Sequence, residues 1–327
     1  MSSMRGSARV STVLALALTL LWPVASSAQS YPNKPVRIIV PFGAGGPADV
    51  FARVLAQHLT ESQKQSFVVE NRPGAGAIIG TDAVAKSAPD GYTLLLMSNT
   101  HTTNESLIPN KPFQLMRDFV PVAPINYSDL LMVAHPATGV KNLKEFIALA
   151  KSKPGALNYA SSGPGTPYHM AGELFKSMSG TDIVHVPHKS SGDMRSSVIG
   201  GHVQMMFDAI TVMAEGVRSG QLIALGTTGK QRSTVMPEVP TVAEAGVPNY
   251  EATIWLGLMA PKGTPQKVVD KLNADIAAVM NRPDVKDNWA KQGAVPMLMR
   301  PNEFEQYLRA DIEKWAQVVR VSGAKPE

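Results

Sequence analysis

Two stretches of this chain place a glycine turn directly before a helix. From Val36 to Gln57 the residues read V-R-I-I-V-P-F, then G-A-G-G-P-A-D, then V-F-A-R-V-L-A-Q. From Leu157 to Phe175 they read L-N-Y-A, then S-S-G-P-G-T-P, then Y-H-M-A-G-E-L-F. In each, the unpaired N–H groups of the first helical turn join the turn amides in facing one point, which favours an anion. The candidate contacts are Phe42, Gly43, Ala44, Gly45 and Gly46 with Asp49, and Ser161, Ser162, Gly163, Gly165 and Thr166 with His169. Each also has a plainer job. Glycine suits a tight turn, Ser and Thr are ordinary helix caps, and Asp49 complements the positive helix end. Two such turns in one chain suggest a ligand held from two sides.

Other residues widen the choice of chemistry. Gly43-x-Gly45-x-x-Ala48 fits a relaxed dinucleotide fingerprint, with Glu70 about where a ribose-binding acid belongs. Pro41 beside the turn speaks against it, but a helix start accepts phosphate or carboxylate alike. Thr100 and His101 follow a strand in S-N-T-H-T-T-N-E, and the imidazole could donate to a carboxylate. Asp208 ends Q-M-M-F-D, where a strand opens outward. The sequence lacks a G-x-S-x-G elbow for serine hydrolysis, and Gly229-Lys230 lacks the earlier glycine of a Walker loop. His185 and His188 would point to opposite faces of a strand, poor geometry for one metal. The sixteen methionines read as core filler. No metal, cofactor or catalytic group is expected.

The elements that must position these residues alternate between β-branched runs and helical periodicity. That pattern argues an α/β fold with a largely parallel sheet. Strands are expected at 36–40, 66–70, 92–97, 130–135, 183–187, 203–207 and 222–227. The residues from Trp255 to Ala260 form a further apolar run. Helices are expected over about 50–59, 79–86, 143–151, 194–199, 265–281 and 302–322. No Gly/Ser-rich linker interrupts the alternation, so structured crossovers must join any two domains. One lobe is placed at 31–128 plus 252–327 and the other at 129–251, with the ligand in the crevice outside the strand ends.

Residues 1–28 combine Arg5 and Arg9, an apolar run from Val13 to Val24, and Ser26-Ser27-Ala28. This is the three-part pattern of a cleaved export signal, and the apolar run is shorter than the ~20 residues of a comfortable membrane span. Cleavage after Ala28 leaves about 300 residues, one large or two medium domains. The chain has no cysteine, which removes disulfides, thiolate metal sites and a lipid-modified cysteine and suits a freely soluble bacterial periplasmic protein. The formal charge is +5, aromatics are 6%, and the basic residues are scattered among acids. No basic stripe of the kind nucleic acid requires is visible.

The runs Y-P-N-K-P-V-R-I-I-V-P-F-G-A-G-G-P-A-D, V-V-E-N-R-P-G-A-G, A-P-D-G-Y-T-L-L, H-V-P-H-K, G-G-H-V-Q-M-M-F-D and V-P-T-V-A-E-A-G-V-P, together with the second glycine stretch, span the mature chain in order. They resemble the Bug (TctC-type) extracytoplasmic solute receptors of tripartite tricarboxylate transporters. The resemblance implies a two-lobed Venus-flytrap (type II periplasmic-binding-protein) fold without catalysis. It implies a periplasmic monomer that binds a small carboxylate, such as a dicarboxylate or aromatic acid, and delivers it to membrane permease subunits. Delivery to a sensor kinase would use the same site. It also implies that the two glycine loops grip the carboxylate, with His101 and Asp208 lining the cleft. One segment departs from the family: where many members read V-P-Y-K-G, this chain has Val186-Pro187-His188-Lys189-Ser190. An inherited ligand role for that segment is therefore in doubt.

Overall fold

The computed structural model describes residues 31–325, so the export-signal pattern at 1–28 lies outside the described residues. Contacts gather the chain from Lys34 onward into one unit. Its first half runs β1 (Val36–Val40), α1 (Pro47–Gln63), β2 (Phe67–Asn71), α2 (Ile78–Ala85), β3 (Thr93–Ser98), α3 (Asn99–Leu107), α4 (Leu115–Asp118) and β4 (Phe119–Ala134). Next come α5 (Leu143–Ser152), β5 (Leu157–Ser161), α6 (Pro167–Ser179), β6 (Ile183–Pro187), α7 (Ser191–Ile199), β7 (Met205–Ala209), α8 (Ile210–Arg218) and β8 (Ile223–Thr227). The chain returns through β9 (Thr253–Pro261), α9 (Gln266–Met280), α10 (Pro283–Lys291), β10 (Ala294–Pro296) and α11 (Pro301–Ser322).

The local reasons are those of the sequence. Helix α1 starts with Pro47, whose missing N–H is harmless there, and buries Phe51, Ala52, Leu55, Ala56 and Leu59 on one face. It stops at Lys64 in the left-handed region at φ 56°. Helix α6 repeats the plan with Pro167 at its start and Gly180 past its end.

The sheet order is β2-β1-β3-β9-β4-β7-β5-β6, with β8 and β10 pairing β4. The outer pairs are parallel: β1 with β2 and β3, and β5 with β6 and β7. The central pairs β3–β9, β9–β4 and β4–β7 are antiparallel. The sheet is thus mixed, and the largely parallel expectation holds only for its two wings. Strand–helix–strand crossovers build the parallel pairs of each wing, but passing from one wing to the other takes strands that run back against their neighbours.

The longest strand makes that passage. Residues Phe119 to Asp129 of β4 pair with β9, whereas Leu130 to Ala134 pair with β7 and β8. Pro121 and Pro124 have no N–H to give the ladder, and the register slips beside each of them. Among the described residues, apolar clusters gather on either side of this passage. One holds Leu131, Phe146, Phe175, Phe207 and Tyr250, the other Ile39, Leu95, Phe119, Trp255 and Met259. Helix α11 serves both, with Phe304 and Leu308 in the second and Trp315 and Val318 in the first. Midway along α11, buried Asp311 accepts hydrogen bonds from Thr102 Oγ1 (2.6 Å), Trp255 Nε1 (3.2 Å) and Trp315 Nε1 (3.1 Å). No helix among the described residues is long and apolar enough to cross a membrane.

Candidate functional site

The loop from Phe42 to Gly46 leaves the end of β1 and opens α1. Gly43, Ala44 and Gly45 are exposed, while Asp49 is buried behind them. Asp49 Oδ2 accepts the Gly45 N–H at 2.9 Å and Arg53 Nε at 3.0 Å. Burial would raise the Asp49 carboxyl, but the hydrogen bonds from Arg53, Gly45 and Asn71 outweigh it and hold the group below its ordinary range. Asn71 reaches back to donate to Phe42 O at 3.2 Å and accepts from Arg53 Nη2 at 2.9 Å. Asp49 is therefore a fixed anion that shapes the loop and takes up the Gly45 amide. The Gly43 and Ala44 amides meet no protein acceptor among the described residues. Gly43 has ordinary φ and open space where a Cβ would sit, whereas Gly45 needs its freedom at φ +76°.

Helix α3 lies beside this loop. Ser98 caps it and accepts the Thr100 N–H at 3.2 Å, so Thr100 enters the site through the cap. The Ser98 N–H donates to His101 Nδ1 at 3.1 Å, which leaves the ring proton on Nε2 to meet Thr81 Oγ1 at 3.0 Å. Thr81 in turn donates to Ala77 O at 2.7 Å. Burial lowers the His101 pKa to about 4, so the ring is neutral and both nitrogens are engaged. His101 was expected to donate to a ligand. It instead ties the start of α3 to α2, with its ring at 5.8 Å in an edge contact with Phe42.

The second loop runs from Ser161 to Thr166 and opens α6. Its hydroxyls and amides largely satisfy one another. Gly163 N–H donates to Ser161 Oγ at 3.1 Å, Thr166 Oγ1 donates to Gly163 O at 2.7 Å, and Gly165 N–H donates to His169 Nδ1 at 3.0 Å. Ser161 Oγ also shares a 2.6 Å hydrogen bond with His185 Nε2. The His185 and His169 rings stack at 4.1 Å, with Tyr159 stacked on His185 at 4.9 Å. Burial lowers both imidazoles, His169 to about 4 and His185 to about 3. These neutral rings form a floor under the loop. Only Ser162 keeps both its amide and its hydroxyl without a protein partner among the described residues of this loop.

The two loops meet on one helix. A Cβ on Gly165 would lie 2.5 Å from Leu107 Cδ2 and 3.6 Å from Asn104 Oδ1, both on α3. Asn104 Nδ2 donates to Gly76 O at 2.8 Å. His101, Asn104 and Leu107 share a helix face at steps of three. Phe42 borders this face at one end and Gly165 at the other. Gly43 and Ala44 follow Phe42 in the first loop and Ser162 precedes Gly163 in the second, each with donors unspent among the described residues, whereas Gly45, Asp49, His101, Ser161, Gly163, Gly165, Thr166 and His169 are engaged within the fold.

Asp208 is fully buried at the end of β7. It accepts from Arg195 Nε at 2.6 Å and from its neighbour's amide, Ala209 N–H, at 2.8 Å, and the Tyr168 hydroxyl lies beside it. Burial pushes this carboxyl up against the pull of Arg195 and the Ala209 amide. In the departing segment, Ser190 Oγ accepts the Asp193 N–H at 3.1 Å and so caps α7, and His188 N–H donates to Ser161 O at 2.9 Å. The sequence did not point to Arg53, Asn71, Thr81, Asn104 or Arg195. Helical spacing from a residue already singled out was available for Arg53, four after Asp49, and for Asn104, three after His101; Asn71 ends a strand, and Thr81 and Arg195 sit on helices with no such residue.

Glu70 is held by Arg72 at 2.6 Å and lies 3.7 Å from Arg37, so its carboxylate is already engaged by cations. Among the described residues no three His, Asp or Glu side chains converge as a metal site requires. A shallow recess of about 470 Å³ lies elsewhere, between α8 and α10, with Thr211, Arg218 and Lys291 in its lining. It contains no residue of either glycine loop, and the free donors, not the size of a hollow, identify the candidate site.

Residues 51–323 match the family model described as the tripartite tricarboxylate transporter family receptor. Protein BugT of Bordetella pertussis is 41% identical over 301 residues, covering 91% of this chain and 92% of that protein. A solved R. palustris protein with adipate is 32% identical, with a TM-score of 0.82 over 91% of this chain and 100% of that one. MatC from Rhodopseudomonas palustris with bound malate is 31% identical, with a TM-score of 0.76 over 88% of this chain and 100% of that one.

Proposed function

The chain belongs to the receptor family of tripartite tricarboxylate transporters, and from that premise we propose a periplasmic receptor that closes two lobes over a small carboxylate. It is a binding protein without catalysis that acts as a monomer and delivers its ligand to the permease subunits. The lobes are residues 31–128 with 252–327, and 129–251. The partner exchange of β4 after Asp129 and the start of β9 at Thr253 support that division. The last turns of α11 lean on the core of the second lobe.

One observation carries the reading: loops from both lobes border the same face of α3 and leave amide and hydroxyl donors unspent around it. A micromolar site needs about 8 kcal/mol net. Charge-assisted hydrogen bonds of about 1.5–3 kcal/mol each from Gly43, Ala44 and Ser162, with two helix ends of up to ~2 kcal/mol each, reach that sum before closure is charged against it. The dinucleotide alternative loses support, because the acid it assigns to the ribose is tied to two arginines.

The test is a thermal-shift screen of the mature protein against mono-, di-, tricarboxylic and aromatic acids, with NAD as a further arm and calorimetry on the hits. A ligand at a hundred times its Kd should stabilise the fold by about 2.7 kcal/mol. A shift with NAD and none with any acid would overturn the receptor reading.

A further inference from the structure

Beside the second loop, a buried acid holds an arginine by one edge. Arg195 sits on α7, and its side chain is 33% exposed while that of Asp208 is fully buried. Its hydrogen bond to Asp208 comes from Nε. Both terminal nitrogens are left without a hydrogen-bond partner among the described residues. Gripping a guanidinium at Nε fixes its plane and leaves the two-nitrogen fork for another acceptor. The strand register sets Asp208, which holds the guanidinium, beside the second loop. β5 and β7 run parallel with Tyr159 beside Met205 and Ala160 beside Met206, so two residues further on Ser162 comes level with Asp208. The start of α7 is tied to the same place, because His188 N–H donates to Ser161 O.

The geometry points to Arg195 as the residue that receives the second carboxylate of a dianionic ligand whose first carboxylate rests on the amides of Gly43 and Ala44. This deepens the receptor reading and rests on it. The Arg195–Asp208 pair adds little net charge. It adds a planar two-donor fork, which a carboxylate satisfies and an alkyl end cannot. A site built around such donors rejects the analogue lacking the acceptor, because the fork would then be covered and unpaired. The ligand class is therefore a linear dicarboxylate in preference to a monocarboxylate of equal length.

Calorimetry would compare adipate with hexanoate and succinate with butyrate on wild type, Arg195→Gln, Arg195→Lys and the double variant Arg195→Gln/Asp208→Asn. Dicarboxylate affinity should fall about 10- to 100-fold in Arg195→Gln while monocarboxylate affinity changes less than about threefold. Arg195→Lys should recover part of the loss, and the double variant should keep the altered preference with restored thermal stability. A parallel loss for both acid classes, or an unchanged ratio, overturns the assignment of Arg195 and leaves the receptor reading intact. A wild type that binds none of the four acids, nor any other carboxylate, overturns both.

Discussion

Raising the pH from about 4 to 7 should remove the stability that Asp129 contributes at the point where β4 changes partners. This residue pairs in register with Thr253 of β9, and its Oδ1 is buried without a hydrogen-bond partner. Gly229 fits against its carboxylate so closely that a Cβ would collide. Burial, and then the charge of Glu251, raise its pKa from the ordinary 3.8 to about 6. Lys230 lies 3.5 Å from the Glu251 carboxylate, and Lys314 donates to Glu251 O at 3.0 Å, so the nearby cations serve Glu251. In the unfolded chain the proton leaves near 3.8, whereas the folded chain keeps it to about 6. Between these values Asp129 binds more protons in the folded state, so its contribution to stability falls as the pH rises through the window. At about 1.4 kcal/mol per pH unit the loss is at most about 3 kcal/mol. His101, His169 and His185 act in the opposite sense. Their folded pKa values lie well below 6.5, so their stabilisation is complete above 6.5 and is lost as the pH falls towards about 4. The assay therefore compares urea unfolding of wild type and Asp129→Asn at each pH from 4 to 7. The variant should gain on wild type by up to about 3 kcal/mol across that range. A difference that stays constant, or moves the other way, refutes the argument.

Gly43→Val should abolish carboxylate binding with little change in unfolding free energy, because the position has ordinary φ and open space; calorimetry beside urea unfolding checks it, and retained affinity counts against the first loop. Asp311→Ala should cost about 3–5 kcal/mol, since two buried indole N–H groups lose their acceptor; equilibrium unfolding measures it. Gly172→Ala should cost about 1–3 kcal/mol, because the new methyl group would strike the Tyr159 ring and displace it from the imidazole stack. Thermal melts read that loss, and a neutral Gly172→Ala would mean that the stack yields freely.

Much of this architecture was legible in the residues because hydrophobic period and helix punctuation agree. β6 was expected at 183–187 and is found at Ile183–Pro187, and both glycine loops open helices that begin with proline. The misses have physical causes. Helix α3 reads N-T-H-T-T-N-E-S-L, with no apolar stripe to find, because it is buried among polar partners and is fixed by Ser98, His101 and Asp311. The first eleven residues of β4 were invisible because Pro121 and Pro124 argue against a central strand, and only the register slips beside them make the strand possible. α10 and β10 were missed as well, one a polar-faced helix and the other three residues long. At the site, residue types identified the loops. They did not reveal which donors the fold itself consumes. That division depends on contacts such as Gly45 with Asp49 and Gly165 with His169.

The C-terminal helix carries a mechanical consequence. It has 22 residues and so is a rod about 33 Å long. Its middle is riveted through Asp311 to Thr102 and Trp255, while beyond that rivet Trp315 and Val318 rest on the other core and Lys314 donates to Glu251 O at 3.0 Å. The buried hydrogen bonds at Asp311 resist sliding more than an apolar surface and one part-buried lysine contact do. If the two lobes proposed above swing towards one another, the rod should travel with the half that owns Trp255 and shift against the other. Its far end would then limit the stroke.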